Sequence, residues 1–204
     1  MVDRHRHWES VYSSKGADEV SWFQPHAASS LRLISGCADS SAHIIDVGGG
    51  ASVLVGDLLD AGFRNVTVLD LAESALAASR ARLGARAQAV QWIADDVTRA
   101  ELPVAHYDVW HDRAVFHFLT DPADRARYVT QVLKSVKPGG HVIVAAFGPG
   151  GPLQCSGLDV VRYTPDVLHA EFGVPFRLLG HETEIHQTPA GKEQEFVYCY
   201  CVRA

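Results

Sequence analysis

Ten residues, His-Ile-Ile-Asp-Val-Gly-Gly-Gly-Ala-Ser from His43 to Ser52, constrain this chain more than any other stretch. Ile44, Ile45 and Val47 make a short β-branched run of the kind that forms a strand buried on both faces. Gly48, Gly49 and Gly50 end the run, and a helix-like stretch over 52–59 follows at once. Strand, glycine turn and helix bring backbone close to a nucleotide-type ligand, because glycine accepts positive φ and has no Cβ to hold the ligand off. Structural strand-to-helix turns use glycine as well, so the turn alone decides little. Two acids sharpen it: Asp46, two residues ahead of Gly48, and Asp70, which ends the next predicted strand.

The remainder alternates regularly. Strands are expected at 65–70, 89–94, 107–111 and 141–147, the second running into Asp95-Asp96-Val97. Between them, 72–83 is an alanine-rich helix ended by Gly84. Residues 123–136 form an amphipathic helix with Tyr128, Val129, Val132, Leu133 and Val136 at helical spacing, stopped by Lys137-Pro138-Gly139-Gly140. A long loop opens at Gly148. A helix over 164–172 starts on Thr164-Pro165-Asp166, an N-cap with proline in the first turn. Two extended runs, 176–187 and 195–202, read as an antiparallel hairpin around Thr188-Pro189-Ala190-Gly191. Repeated β-α units closed by a hairpin give an α/β, doubly wound, mostly parallel sheet, whose ligands sit at the carboxyl ends of the strands. Asp46, Asp70, Asp95/Asp96 and the segment 112–118 all fall there.

Residues 1–36 precede this alternation and carry Trp8, Tyr12, Trp22 and Phe23. Helices are expected at 6–13 and 25–36, with Ser14-Lys15-Gly16 as a hinge and Pro25 in the first turn of the second helix. This arm either packs on the domain or closes as a lid over a bound ligand. At 204 residues, 47% hydrophobic and 21% charged, the chain reads as one globular domain spanning 1–204. A net charge of −6 without a dense Lys/Arg run argues against a nucleic-acid binder, and no apolar stretch is long enough for a membrane span. The four cysteines form no Cys-x-x-Cys pair and read as buried thiols, with Cys199 and Cys201 on one strand face, which places the chain in the cytoplasm. Glu182, Glu184 and His186 also alternate on one strand face, and a solvated face is preferred to a metal half-site, so no metal is expected.

Asp46-Val47-Gly48-Gly49-Gly50, the acid ending strand two, the acids after strand three and Pro138-Gly139-Gly140 before strand five together resemble class I S-adenosylmethionine (SAM)-dependent methyltransferases. The resemblance spans nearly the whole chain and implies a Rossmann-like seven-stranded sheet of order 3-2-1-4-5-7-6, with the seventh strand antiparallel. It implies SAM as cofactor and S-adenosylhomocysteine as product. Gly48, Gly49 and Gly50 would meet the methionine moiety and Asp46 its amino group. Asp70 would bind the ribose hydroxyls. Asp96 or Asp95 would bind the adenine amine beside Leu71 and Val97, with Tyr12 and Trp22 over the cofactor. Gly49 stands where many relatives have cysteine, and Ser52 replaces a common third glycine. An acidic pocket suits the cationic SAM and would repel the pyrophosphate of a dinucleotide, which sets aside a Rossmann dehydrogenase.

In that family the segment after strand four, Trp110 to Phe118, lines the methyl-transfer chamber. There His117 is the candidate general base, against a histidine packed between Phe116 and Phe118, and Asp112 with Arg113 a candidate orienting pair. A small-molecule acceptor is preferred. A protein lysine is the alternative, since Trp8…Tyr12…Trp22-Phe23 and Phe63-Arg64-Asn65-Val66-Thr67 also resemble lysine methyltransferases. A non-catalytic SAM or nucleoside binder is a further alternative. The sequence leaves the acceptor atom and the oligomeric state open.

Overall fold

The computed structural model describes residues 3–14 and 20–204. The hinge expected at Ser14-Lys15-Gly16 falls in part outside the described residues. An arm helix, α1 (Arg4–Ser14), is followed by α2 (Ala28–Cys37), β1 (His43–Val47), α3 (Leu54–Asp60), β2 (Asn65–Asp70) and α4 (Glu73–Leu83). Then come β3 (Val90–Ala94), β4 (Tyr107–Arg113), α5 (Pro122–Ser135), β5 (Val136–Phe147) and a two-residue hairpin, β6 (Gln154–Cys155) and β7 (Leu158–Asp159). The chain ends with α6 (Pro165–Phe172), β8 (Phe176–Gln187) and β9 (Glu193–Arg203).

The main sheet has seven strands in the order β3-β2-β1-β4-β5-β9-β8. β1 pairs in parallel with β2 and β4, β4 in parallel with β5, and β9 runs antiparallel to both β5 and β8. With β8 and β9 as the sixth and seventh strands of the sheet, this is the order the resemblance implied. Alternation along the strands feeds two cores. Ile45, Val47, Trp110, Val142 and Val144 face α5 and α6 through Tyr128, Val132, Leu168 and Phe172. Ile44, Val66, Val68, Val109 and Ile143 face α2 and α3 through Ile34, Leu54, Val55 and Leu58. Burial on both faces of central parallel strands is what their unbroken β-branched runs encode.

Several boundaries differ from the sequence reading. α2 begins at Ala28 rather than 25, because its start is capped from another helix: the Ala27 amide donates to Asp57 Oδ2 at 2.8 Å. Pro25 therefore lies in the approach to the helix. β4 runs two residues further than expected, through Asp112 and Arg113. β5 starts at Val136, and Lys137-Pro138-Gly139-Gly140 is an irregularity within it, with Gly139 at φ +77° and a register shift opposite Tyr107/Val109. The loop opening at Gly148 holds the small β6/β7 hairpin. Among the described residues no helix is long and apolar enough to cross a membrane.

Candidate active site

The turn after β1 is tight because it has to be. The Gly48 amide donates to Leu69 O at 2.7 Å, and Gly48 sits at φ +70°, where a Cβ would come within 2.0 Å of Val115 Cγ2. A Cβ on Gly49 would lie 2.2 Å from Asp46 Oδ2. These glycines let the turn fold back over the acid that precedes it. The Gly50 amide donates to Asp70 Oδ2 at 3.0 Å, and the Ala72 amide to Asp70 Oδ1 at 2.9 Å. Both oxygens of Asp70 are thus held by backbone, and each keeps acceptor capacity for a ligand. Burial pushes the Asp70 carboxyl up to about 6, the two amide bonds opposing that shift.

A cavity of about 720 Å³, counting its open mouth, lies over the carboxyl ends of β2, β3 and β4. Asp70 and Leu71, then Asp95, Asp96 and Val97, line it from below with Gly48, while Tyr12 and Trp22 line it from above. Asp95 and Asp96 are shaped by their own turn: Asp95 N donates to Asp70 O at 3.0 Å, and Asp96 Oδ1 accepts from Thr98 N at 2.9 Å and Thr98 Oγ1 at 2.7 Å. An adjoining cavity of about 490 Å³ is lined by Asp46, Gly48, Gly49, Ser30 and His111. The two share Gly48, Trp22 and Arg113, so they are compartments of one cleft across the strand ends. Of the residues expected at a cofactor, Gly50 lines neither compartment and serves Asp70 instead.

Asp46 Oδ1 lies 2.7 Å from His111 Nδ1, and Asp46 Oδ2 is buried with no hydrogen-bond partner. His111 stands beside Asp46 because parallel β1 and β4 pair in that register. Arg113, at the end of β4, donates to Tyr198 OH at 3.1 Å, to Glu184 Oε1 at 3.1 Å and to Trp22 O at 3.3 Å, and lies 4.2 Å over the Phe196 ring. The orienting pair expected of Asp112 and Arg113 is not formed, since successive strand residues face opposite sides of a sheet. Asp112 instead turns into the core, accepting from Tyr128 OH at 2.6 Å, Val115 N at 2.9 Å and Phe116 N at 3.2 Å, and burial pushes its carboxyl up to about 7.

The structure also moves His117 out of the general-base position. It is fully buried, lines neither compartment, and stacks on Phe147 with ring centroids 4.3 Å apart. Its Nδ1 accepts from Phe147 N at 3.2 Å, and burial, with Arg113 adding repulsion, pushes it down to about 3. The short turn Phe116–Phe118 rolls His117 inward and leaves Phe118 at the cleft.

α1 roofs the first compartment. Trp8 packs edge-on against Phe118 (centroids 5.0 Å apart) and Trp22 (5.7 Å), and lies 5.9 Å from Tyr12. Glu9 reaches the start of α4 and accepts from Glu73 N at 2.6 Å and Ser74 N at 3.4 Å. Arg4 pairs with Asp124 at the start of α5, 2.8 Å away. The face of β8 expected to be solvated is covered by this N-terminal segment. Glu184 accepts from Gln24 at 3.0 Å, Glu182 pairs with Arg32, and His186 Nε2 lies 2.8 Å from Ser21 O. Among the described residues no group of three or more His, Cys, Asp or Glu is placed to hold a metal ion. Sequence reading missed Ser30 as a cleft residue; His111 and Arg113 fell within the segment it assigned to the methyl-transfer chamber, and Trp8 within the aromatic arm.

Residues 44–140 match a family model described as a methyltransferase domain. A search of curated proteins found no match. A SAM-dependent methyltransferase from Anabaena variabilis superposes with a TM-score of 0.78 at 14% identity, over 100% of this chain and 96% of that one. One from Methanosarcina mazei gives 0.71 at 16% identity, over 84% and 96%. The 1,6-didemethyltoxoflavin-N1-methyltransferase of Burkholderia thailandensis, solved with 1,6-didemethyltoxoflavin and S-adenosylhomocysteine, gives 0.69 at 18% identity, over 98% and 84%. At these identities the likeness establishes the fold.

Proposed function

We propose that this chain, a member of the class I SAM-dependent methyltransferase family through the domain at 44–140, transfers the SAM methyl group to a sulfur, oxygen or nitrogen of a small molecule. One observation carries the reading: a buried carboxylate oxygen without a partner, Asp46 Oδ2, beside a glycine turn that has no room for a Cβ. An unpaired buried acceptor is costly until a donor meets it. The ammonium of SAM is such a donor, whereas a pyrophosphate would be repelled. Asp70 suits the two ribose hydroxyls, Asp96 or Asp95 the adenine amine, and Leu71 and Val97 the ring faces. Tyr12 and Trp22 cover the cofactor, and 1–36 acts as the arm of a domain spanning 1–204.

When bound, SAM supplies an electrophilic methyl on a cationic sulfur. The chain's own part is to align the acceptor in line with that methyl and to exclude water. α1, Trp22 and Phe118 narrow the mouth of the cleft, which favours a small acceptor over a folded protein. The acids of the first compartment belong to the nucleoside, and His111 is engaged on both nitrogens. The acceptor therefore brings its own lone pair or anion.

A SAM-consumption screen over thiols, phenols, amines and lysine peptides tests this. Expected is turnover of a small molecule, with an apparent pKa for the rate that moves with the acceptor's own pKa. One fixed apparent pKa for every acceptor would reveal an enzymic base. Lysine peptides outpacing every small molecule would replace the acceptor class with a protein lysine, the reading that the N-terminal sequence likeness favours. SAM bound but never consumed would leave a binding protein.

A further inference from the structure

Beside the second compartment, five side chains from four elements of the fold form one hydrogen-bonded line. Arg113 Nε donates to Tyr198 OH at 3.1 Å, Tyr198 OH lies 3.5 Å from Ser30 Oγ, and Ser30 Oγ lies 2.8 Å from His111 Nε2. His111 Nδ1 meets Asp46 Oδ1 at 2.7 Å. Arg113 can only donate to Tyr198, and with the Nδ1–H of a neutral imidazole turned to Asp46, Nε2 of His111 accepts from Ser30. Tyr198 accepts from Arg113 and donates to Ser30, Ser30 donates to His111, and His111 donates through Nδ1 to Asp46. Ser30 is 1% exposed, and His111 and Asp46 are each 2% exposed. Aligned donors in a low-dielectric interior reinforce one another.

A buried polar line of this kind is not the cheapest filling for a core, since well-packed apolar groups replace such networks at little or no cost in stability. What the line accomplishes is at its end. His111 takes Asp46 Oδ1, and this leaves Oδ2 buried and unpartnered beside Gly49, on a residue that lines the compartment.

We infer that Ser30, His111 and Tyr198 are positioning residues that hold Asp46 with Oδ2 presented to the second compartment, and so set the grip on the amino-acid end of the cofactor. This rests on the SAM reading above and concerns one end of SAM. The nucleoside end meets Asp70, Asp95 and Asp96, none of which belongs to the line.

The two ends separate experimentally. S-adenosylhomocysteine carries the amino-acid end, whereas 5′-methylthioadenosine keeps the nucleoside and lacks it. Calorimetric titration of both into wild type, Ser30→Ala and Tyr198→Phe, with thermal melts confirming the fold, reads the line directly. Ser30→Ala is expected to weaken S-adenosylhomocysteine about tenfold and leave 5′-methylthioadenosine within about twofold. Tyr198→Phe should act in the same direction by less. In an Asp46→Asn background, Ser30→Ala should add nothing further, because the line then ends on a group it no longer orients. Equal weakening of both ligands, or unchanged S-adenosylhomocysteine affinity, overturns the inference. A wild-type protein that binds neither ligand removes the SAM reading and this inference with it. One that binds both equally well leaves the nucleoside site standing and removes only the role of the line.

Discussion

Asp70 and His117 are both enclosed, and burial drives each toward its neutral form, upward for the acid and downward for the imidazole. The consequences for stability have opposite signs. Asp70 holds a proton in the fold up to about 6 against 3.8 unfolded. Its favourable contribution is complete below about pH 4 and is lost as pH rises through about 6, leaving a cost on the order of 3 kcal/mol at neutrality in the free protein. Asp112, raised to about 7, behaves likewise over a wider window. His117, at about 3 against 6.5 unfolded, contributes stability above about pH 6.5 that is lost as pH falls toward 3. For Asp70 the cost is tied to the ligand, because ribose hydroxyls need the ionised acceptor. SAM affinity measured by calorimetry should therefore fall as pH drops below about 6, and Asp70→Asn should abolish that dependence. Asp70→Ala should weaken binding by about 1.5–3 kcal/mol, and unchanged affinity would take Asp70 out of the site. His117→Ala leaves the Phe147 amide unsatisfied and opens a void, so a stability loss of roughly 2–4 kcal/mol is expected. Its activity should follow the folded fraction, with the pH profile unchanged. A folded His117→Ala with a hundredfold lower turnover would return the histidine to catalysis.

Among the elements, α1 is attached least like a helix of the core. It buries no residue fully, and its hold on the domain is Glu9 on the start of α4, Arg4 on Asp124, and the Trp8 cluster. Glu9 answers a real need, because α4 has alanine at its N-cap and no side-chain cap of its own. Glu9→Ala should cost about 1 kcal/mol of arm docking, raise the SAM dissociation constant several-fold, and speed amide exchange in α1 with the sheet amides unaffected. Exchange in α1 that ignores both this variant and added SAM would make the arm a packing element only. The segment behind α1 is different in kind: Ser21, Trp22 and Gln24 are fastened to His186, Arg113 and Glu184, so a truncation meant to test the lid should stop before residue 20. This division was invisible in sequence. The aromatics marked the arm as something that packs, but nothing local says that alternating Glu182, Glu184 and His186 bind it rather than water. By contrast, the strand-glycine-helix unit and the β-branched runs were legible because each is decided by neighbours in the chain. Asp112 and Arg113 show the limit: adjacency suggested a pair, and the pleat of a strand two residues longer than expected sent them to opposite faces.

At the scale of the whole molecule, the cleft belongs to the sheet order rather than to any segment. Asp46 meets His111 across 65 residues, His111 meets Ser30 across 81, and Arg113 meets Tyr198 across 85. These pairs exist only when β1, β4, β5 and β9 are in register and α2 is packed on the sheet, which explains why the acids could be read from sequence while the line behind Asp46 could not. The same dependence couples cofactor to fold. An unfolded chain has no cleft, so a ligand of the folded state stabilises it by mass action, by about 2.7 kcal/mol at a hundredfold excess over its dissociation constant. For a domain of this size each kcal/mol moves the melting temperature by roughly 2–4 °C, so S-adenosylhomocysteine at that concentration should raise it by about 5–11 °C. The rise should grow with the logarithm of ligand concentration, and it should shrink in Asp70→Ala at the same concentration. NAD at equal concentration should produce no shift, since its pyrophosphate would approach Asp46 and Asp70. Scanning calorimetry decides this without any knowledge of the methyl acceptor. A shift with NAD equal to that with S-adenosylhomocysteine would mean that the acids do not select the ligand. No shift with either would detach the cleft from nucleoside binding altogether.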